Sequence, residues 1–348
     1  MLKQLERYEF TGYHASHIGA LKSCADYYSM DISPAWLFGM TGQAFMMVTD
    51  EHLISPNVGL PEEEQFTLAA NIGLRIQGRH TIQTDEAFKK QQQEVWEQAR
   101  TALNQNKPVF AKEIGLGNET SLVYAYGERG YYTKSWHGGT GHEGADQEIS
   151  WDTLGRNYCP CEQCRHRLLG PSTAAYLGKR RNDGGLLSLH WAETEEPISA
   201  KEALAAALRV VAAFNEQAEY TYGAGRFFTG ARGIEQWINA IRSTEITGFY
   251  MGYYTDIWLE SRHYAVQFLK EAQGRIVGAD EELVTAHKQY ELIRQAYAKL
   301  TGLFPWMQPM QPIADPFRRK EAIELLSEIK LLEQDANQAL RQLLKKLA

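Results

Sequence analysis

Three of the four cysteines fall within six residues, in the run Cys159-Pro160-Cys161-Glu162-Gln163-Cys164-Arg165-His166. Cys161-x-x-Cys164 has the spacing of a zinc knuckle, and Cys159 and His166 complete a set that tetrahedral zinc accepts. Four ligands in eight residues demand a tight loop, or help from His137 or His142. Free thiols and a redox pair are the alternatives. His14 and His17 are three apart, a spacing that lets imidazoles on one helical turn share a metal. Asp50, Glu51 and His52 offer further ligands with no fixed spacing to tie them in, and a hydrogen-bonded structural role is the competing explanation for each histidine. Gly138-Gly139-Thr140-Gly141 lacks the Gly-Lys-Ser/Thr ending of a phosphate loop, and Gly223-x-Gly225 lacks the third glycine of a dinucleotide fingerprint. Lys179-Arg180-Arg181 reads as a solvated loop. The run Phe249-Tyr250-Met251-Gly252-Tyr253-Tyr254 suits core packing or the wall of a pocket.

Those residues need elements to hold them. Ile18, Leu21, Ala25 and Tyr28 recur three or four apart, which predicts a helix over 16–28. Ser33-Pro34 has the chemistry of a cap and first turn. A longer helix is predicted over 85–104, with Phe88, Val95, Ala99 and Leu103 on its inner face. Lys107-Pro108 breaks it, and a short strand follows at 109–111. Strands 122–126 and 131–134 flank Gly127-Glu128-Arg129-Gly130 as a hairpin with a four-residue loop. Residues 137–183 read as an irregular insertion, and 186–191 as one more strand. From 198 the chain turns helical, starting at the capping box Ser199-Ala200-Lys201-Glu202. Helices are then expected over 234–243 and around Trp258, Ala265, Phe268 and Ala272. Two apolar stripes close the chain: Leu283, Tyr290, Ile293, Tyr297 and Leu300, then Leu325, Ile329, Leu332, Ala336, Leu343 and Leu347. Four prolines separate them, so a helical hairpin is expected.

A chain of 348 residues exceeds what one core sustains, about 250–300 residues, so two domains are expected. With 44% hydrophobic and 23% charged residues it belongs with soluble globular proteins, not disordered or disulfide-stapled ones. A net charge of −7 argues against a nucleic-acid partner. No run approaches the ~20 apolar residues of a membrane span, and the opening residues lack the apolar core of a signal peptide. Clustered rather than scattered cysteines fit a reducing compartment, so the cytoplasm is the expected location.

The stretch 15–45 resembles a known family. Ala15-Ser16-His17-Ile18-Gly19-Ala20-Leu21, then Tyr27-Tyr28, Ile32-Ser33 and Phe38-Gly39-Met40-Thr41-Gly42, is similar to the N-terminal domain of the butirosin biosynthesis protein H family. Lys107-Pro108-Val109, the Tyr126 to Tyr132 hairpin, residues 199–213 and Glu235-Gln236-Trp237-Ile238 extend the likeness over most of 8–245. The resemblance implies a papain-like α+β domain over 1–195, interrupted by the cysteine-bearing insertion at 137–183, followed by a helical domain over 196–348. The family includes an acyltransferase of bacterial specialised metabolism that moves an acyl group from an acyl-carrier protein through a cysteine thioester; the resemblance by itself implies the fold and not that chemistry. In this chain the nucleophile position falls on Ser16, the base position on Glu119 and the orienting position on Ser135, while Gly42, Gln43 and Ser135 fall where a ligand is held. The family's Cys-His-Asp types are thus all replaced.

That replacement matters chemically. A thiol beside an imidazole is nucleophilic near neutral pH, whereas a serine hydroxyl needs a stronger base and an oxyanion hole. His14 and His17 flank Ser16 as candidate bases, and a carboxylate at Glu119 is a weak base for an alcohol. Ser16 at a helix start can also serve as a cap. Three functions follow as expectations: a pseudoenzyme that binds a peptide, acyl or small-metabolite ligand; an acyltransferase or hydrolase using Ser16; or a zinc-stabilised interaction module.

Overall fold

The computed structural model describes residues 3–53, 59–114, 119–136, 148–155, 184–223, 225–244 and 246–348. The chain is mixed α and β, with an antiparallel sheet and a helical C-terminal region. It divides into two compact units, residues 1–32 with 73–196, and residues 33–72 with 197–348. Residues 33–72 belong with the second unit and not with the rest of the N-terminal stretch. Its α2 (Pro34–Met40) packs on α7 (Gly248–Arg275), with Trp36 against Phe268 and Phe38 against Tyr264. Contacts made by side chains far along the chain decide this membership, and local pattern does not carry them.

In the first unit the sheet runs in the order β3 (Leu74–Thr84), β8 (Gly184–Thr194), β4 (Val109–Lys112), β5 (Thr120–Tyr126), β6 (Gly130–Lys134), β7 (Ile149–Ser150), with β1 (Lys3–Gln4) also on β5. Every pairing is antiparallel. The expected hairpin is β5–β6, with Gly130 already in the second strand and a bulge between Val123 and Ala125. The expected strand at 186–191 extends to eleven residues because β3 pairs with it along its whole length. Helix α1 (Ser16–Tyr27) and helix α4 (Asp85–Asn104) complete the unit's main elements. Phe88, Val95, Ala99 and Leu103 are buried, as the spacing of α4 predicts. Arg79 of β3 bonds Gln91 and Glu94 of α4, which fixes the face of the sheet that α4 covers. By the alternation of strands, His80, Ser188 and Phe110 occupy the opposite face.

The second unit holds α2, α3 (Glu62–Leu68), a three-stranded sheet in the order β2 (Val48–Asp50), β10 (Gly225–Thr229), β9 (Glu219–Tyr222), and five later helices. The small sheet was not legible as strands, because glycines punctuate it and each strand has five residues or fewer. Ser33 caps α2 by accepting from Trp36 N–H, and Ser199 caps α5 (Ala200–Glu216) by accepting from Glu202 N–H, both as the sequence predicts. Helices α6 (Gly230–Arg242) and α7 follow, the latter running well beyond its expected core. The closing pair is α8 (Asp280–Leu303) and α9 (Pro316–Leu347), a helical hairpin whose turn is tied by Arg318 Nη2 donating to the Leu303 carbonyl. The α8 stripe is fully buried. Of the α9 stripe, Ile329, Ala336, Leu343 and Leu347 are buried; Leu326 and Glu333 are buried beside them, while Leu325 and Leu332 are half-buried.

Glu333 takes that core position because Arg262 of α7 meets it. Arg262 Nε donates to Glu333 Oε1 at 2.5 Å, and Arg262 Nη1 donates to the carbonyls of Ala44 and Met46 at 3.0 Å each. Both charged groups are buried. Burial pulls the guanidinium's pKa down, but Glu333, with Tyr290 and Tyr297, holds it above its ordinary value. Among the described residues, no helix is long and apolar enough to cross a membrane.

Candidate site on the first unit

Helix α1 begins at Ser16, after the non-helical Ala15. The Ser16 side chain is buried and does not cap α1: its Oγ accepts a hydrogen bond from the Thr120 backbone N–H at 3.0 Å. Thr120 opens β5, in a Thr-Ser-Leu-Val-Tyr-Ala-Tyr segment whose branched and aromatic residues favour a strand. Glu119 is therefore the residue that leads into β5. Ser135 directly follows β6, and the last register pair, Leu122 with Lys134, puts it at the same end of the hairpin as Glu119. The structure thus brings Ser16, Glu119 and Ser135 to one end of the β5–β6 pair, although they are far apart in sequence.

The two candidate bases part company. His17 is buried within the first turn of α1. His14 lies before the helix, and its ring stacks on Trp136 with centroids 6.0 Å apart and planes 16° apart. Trp136 Nε1 in turn donates to the Tyr13 carbonyl at 3.1 Å. His14 and His17 therefore do not share a helical turn, which corrects the metal-sharing expectation. Among the described residues, Ser16 Oγ is bonded to the Thr120 amide and to no imidazole.

Cys24, on the same helix, is no substitute nucleophile. Burial pushes its thiol up to about 12, against a smaller opposing effect of the bond with Tyr8 Oη at 3.5 Å. A thiol held neutral does not attack. Tyr8 Oη also donates to the Val109 carbonyl at 3.0 Å, which ties the N-terminal segment to β4.

Gly42 and Gln43 belong to the second unit. Gly42 has a φ of +76°, and a Cβ there would meet Val211 Cγ2 at 2.9 Å, so glycine is required. Gln43 is fully buried and its Oε1 accepts from Gln65 Nε2 at 2.8 Å, which makes it part of a core amide pair. Cys159, Cys161, Cys164 and His166 lie outside the described residues, as do His137 and His142. Among the described residues, no group of three or more His, Cys, Asp or Glu side chains can hold a metal ion.

Comparison with family models and with curated proteins gives no match.

One set of groups escaped the sequence reading. His80 of β3 and Ser188 of β8 are register partners, with His80 Nδ1 3.0 Å from Ser188 Oγ. Ser188 Oγ is also 3.3 Å from His190 Nε2, and Phe110 stacks on the His190 ring at 5.4 Å. A hydroxyl has one proton, so Ser188 can donate to only one of the two imidazoles and the other ring nitrogen must bring its own proton to bond it, which links the two ring tautomers. Gly78, opposite His190, makes room: a Cβ there would lie 2.9 Å from His190 Nδ1. Ser188 and His190 are buried, so this hydroxyl is shielded from an incoming substrate. The period-two pattern Leu74, Ile76, Gly78, His80, Ile82 was the available signal for β3.

Proposed function

We propose that this chain is a binding protein on a papain-like scaffold whose catalytic types have been replaced, and that the first unit binds a peptide, acyl or small-metabolite ligand near Ser16. One observation carries the reading: Ser16 Oγ, at the nucleophile position implied by the resemblance, is bonded to the Thr120 amide rather than to an imidazole. Among the described residues, no base lies within the hydrogen bonds of this hydroxyl to take its proton. The adjoining positions of Glu119 and Ser135 give further support, since the resemblance puts the base and orienting groups there. The spacing of Cys161 and Cys164 adds a zinc-stabilised loop to the proposal.

The test is incubation of the whole protein with N-acetylcysteamine thioesters and p-nitrophenyl esters, followed by intact mass measurement. The expected result is no acyl adduct and no turnover above that of Ser16→Ala, with saturable binding of an acyl or peptide probe by calorimetry. An adduct on Ser16, lost in Ser16→Ala, overturns the binding reading in favour of a serine acyltransferase or hydrolase. Metal analysis of the purified protein tests the loop: one zinc per chain, lost in Cys161→Ser with Cys164→Ser, is expected.

A further inference from the structure

The second unit carries a groove of about 410 Å³ between the end of α6 and the start of α9. Its floor is apolar, formed by Ile241, Pro316 and Ile323. Its rim is cationic, formed by Arg242 from one helix and Arg319 and Lys320 from the other. Glu324 is the one carboxylate among the described lining residues, and it stands 3.8 Å from Lys320 with both side chains largely exposed.

The cations are only lightly engaged. Arg242 makes a long side-chain bond of 3.4 Å to Asn239, and Arg319 donates one Nη1 bond to the Ile313 carbonyl. Neighbouring Arg318 is different: it is spent on the Leu303 carbonyl, on Gln308 and on the face of Phe304. Asp315 caps α9 by accepting from Phe317 N–H, and Arg318, Arg319 and Lys320 follow one another near that end of the helix, whose first turn has no further acidic residue. Three rim cations against one carboxylate leave a local charge of +2 in a protein whose net charge is −7.

We infer that this groove binds a phosphate-bearing small molecule, with the phosphate oxygens held by Arg242, Arg319 and Lys320 and an apolar body lying on Ile241, Pro316 and Ile323. A single carboxylate is matched by one guanidinium, whereas cations arriving from two helices suit a group with several anionic oxygens. The volume lies in the range of small-ligand sites, roughly 300–1,000 Å³. This site is separate from the Ser16 site and does not depend on it.

The test is calorimetric titration of the full chain, at fixed ionic strength, with inorganic phosphate, with pyrophosphate and with phenyl phosphate. One saturable site is expected, with phenyl phosphate bound more tightly than inorganic phosphate because its ring meets the apolar floor. Arg242→Ala and Lys320→Ala should each weaken binding about tenfold, equivalent to about 1.4 kcal/mol. Both side chains are exposed, so circular dichroism should show unchanged folding. Lys345→Ala with Lys346→Ala, at the far end of α9, should leave affinity unchanged. Absence of saturable binding overturns the inference, as does equal loss in the Lys345 and Lys346 variant. Saturable binding of a hexaglutamate peptide with no binding of any phosphate ligand also overturns it and assigns the groove to an acidic protein segment.

Discussion

Ser16 Oγ accepts the Thr120 backbone N–H at 3.0 Å, so the first residue of α1 and the first residue of β5 are joined by one hydrogen bond across 104 positions of sequence. The bond is buried on both sides, since Thr120 is 2% exposed and Ser16 is 6% exposed. Removing the hydroxyl leaves a buried amide without its partner. Ser16→Ala should therefore cost about 1–3 kcal/mol in urea unfolding. Ser16→Thr, which keeps an oxygen there, should recover part of the loss. Unchanged stability in Ser16→Ala would mean that the amide finds another acceptor.

The two units differ in how much of them could be read in advance. Helix α4 and the caps Ser33 and Ser199 were legible because spacing and capping are local signals. The helical hairpin was legible for the same reason, since the apolar residues of α8 keep one phase over its length. Three features were not. Strand β3 alternates Leu74, Ile76 and Ile82 with Arg75, Gln77, Arg79 and Thr81, but Gly78 and His80 fall on the apolar phase and interrupt it. In α9, Glu333 fills a core position that apolar spacing does not mark and that the facing Arg262 permits. The candidate site itself was half legible. The resemblance marked Ser16, Glu119 and Ser135, but only the register of β5 and β6 brings the last two to one end of the hairpin. The His80, Ser188 and His190 set depends on the pairing of strands more than a hundred residues apart, which no local pattern encodes.

The Arg262–Glu333 pair sets up a double-substitution test. Glu333→Leu leaves a guanidinium buried without its counter-charge and should cost about 3–5 kcal/mol. Arg262→Met removes the cation, and also leaves the carbonyls of Ala44 and Met46 without their donor. The double variant should lose much less than the sum, because no unpaired charge remains. Unfolding of all four proteins in urea measures the coupling. Additive losses would mean that the two groups do not stabilise each other.

Cys24 should be silent in the native protein. Its thiol is buried and pushed up to about 12, so little thiolate exists at pH 8. Iodoacetamide labelling followed by peptide mapping should leave Cys24 unmodified in buffer and label it fully in urea. Rapid native labelling at this position would contradict the packing of Tyr8 against α1.

Glu193 gives the pH dependence its sign. It is bonded by Lys107 Nζ at 2.5 Å and by Arg75, its register partner on β3, and these bonds hold its pKa below the ordinary carboxylate value of 4.5. A carboxylate with a depressed folded-state pKa binds protons less readily folded than unfolded, so its stabilisation is present above about pH 4.5 and fades as pH falls below it. Glu193→Gln should therefore lower the melting temperature at pH 7, with the gap from the parent shrinking as the solution is acidified. The exposed Arg75 arm makes part of the effect sensitive to salt, so the pH 7 gap should narrow in high sodium chloride. Melting curves between pH 7 and pH 3, at low and high salt, check both trends. A gap that stays constant with pH would show that Glu193 contributes through its shape and packing and not through its charge.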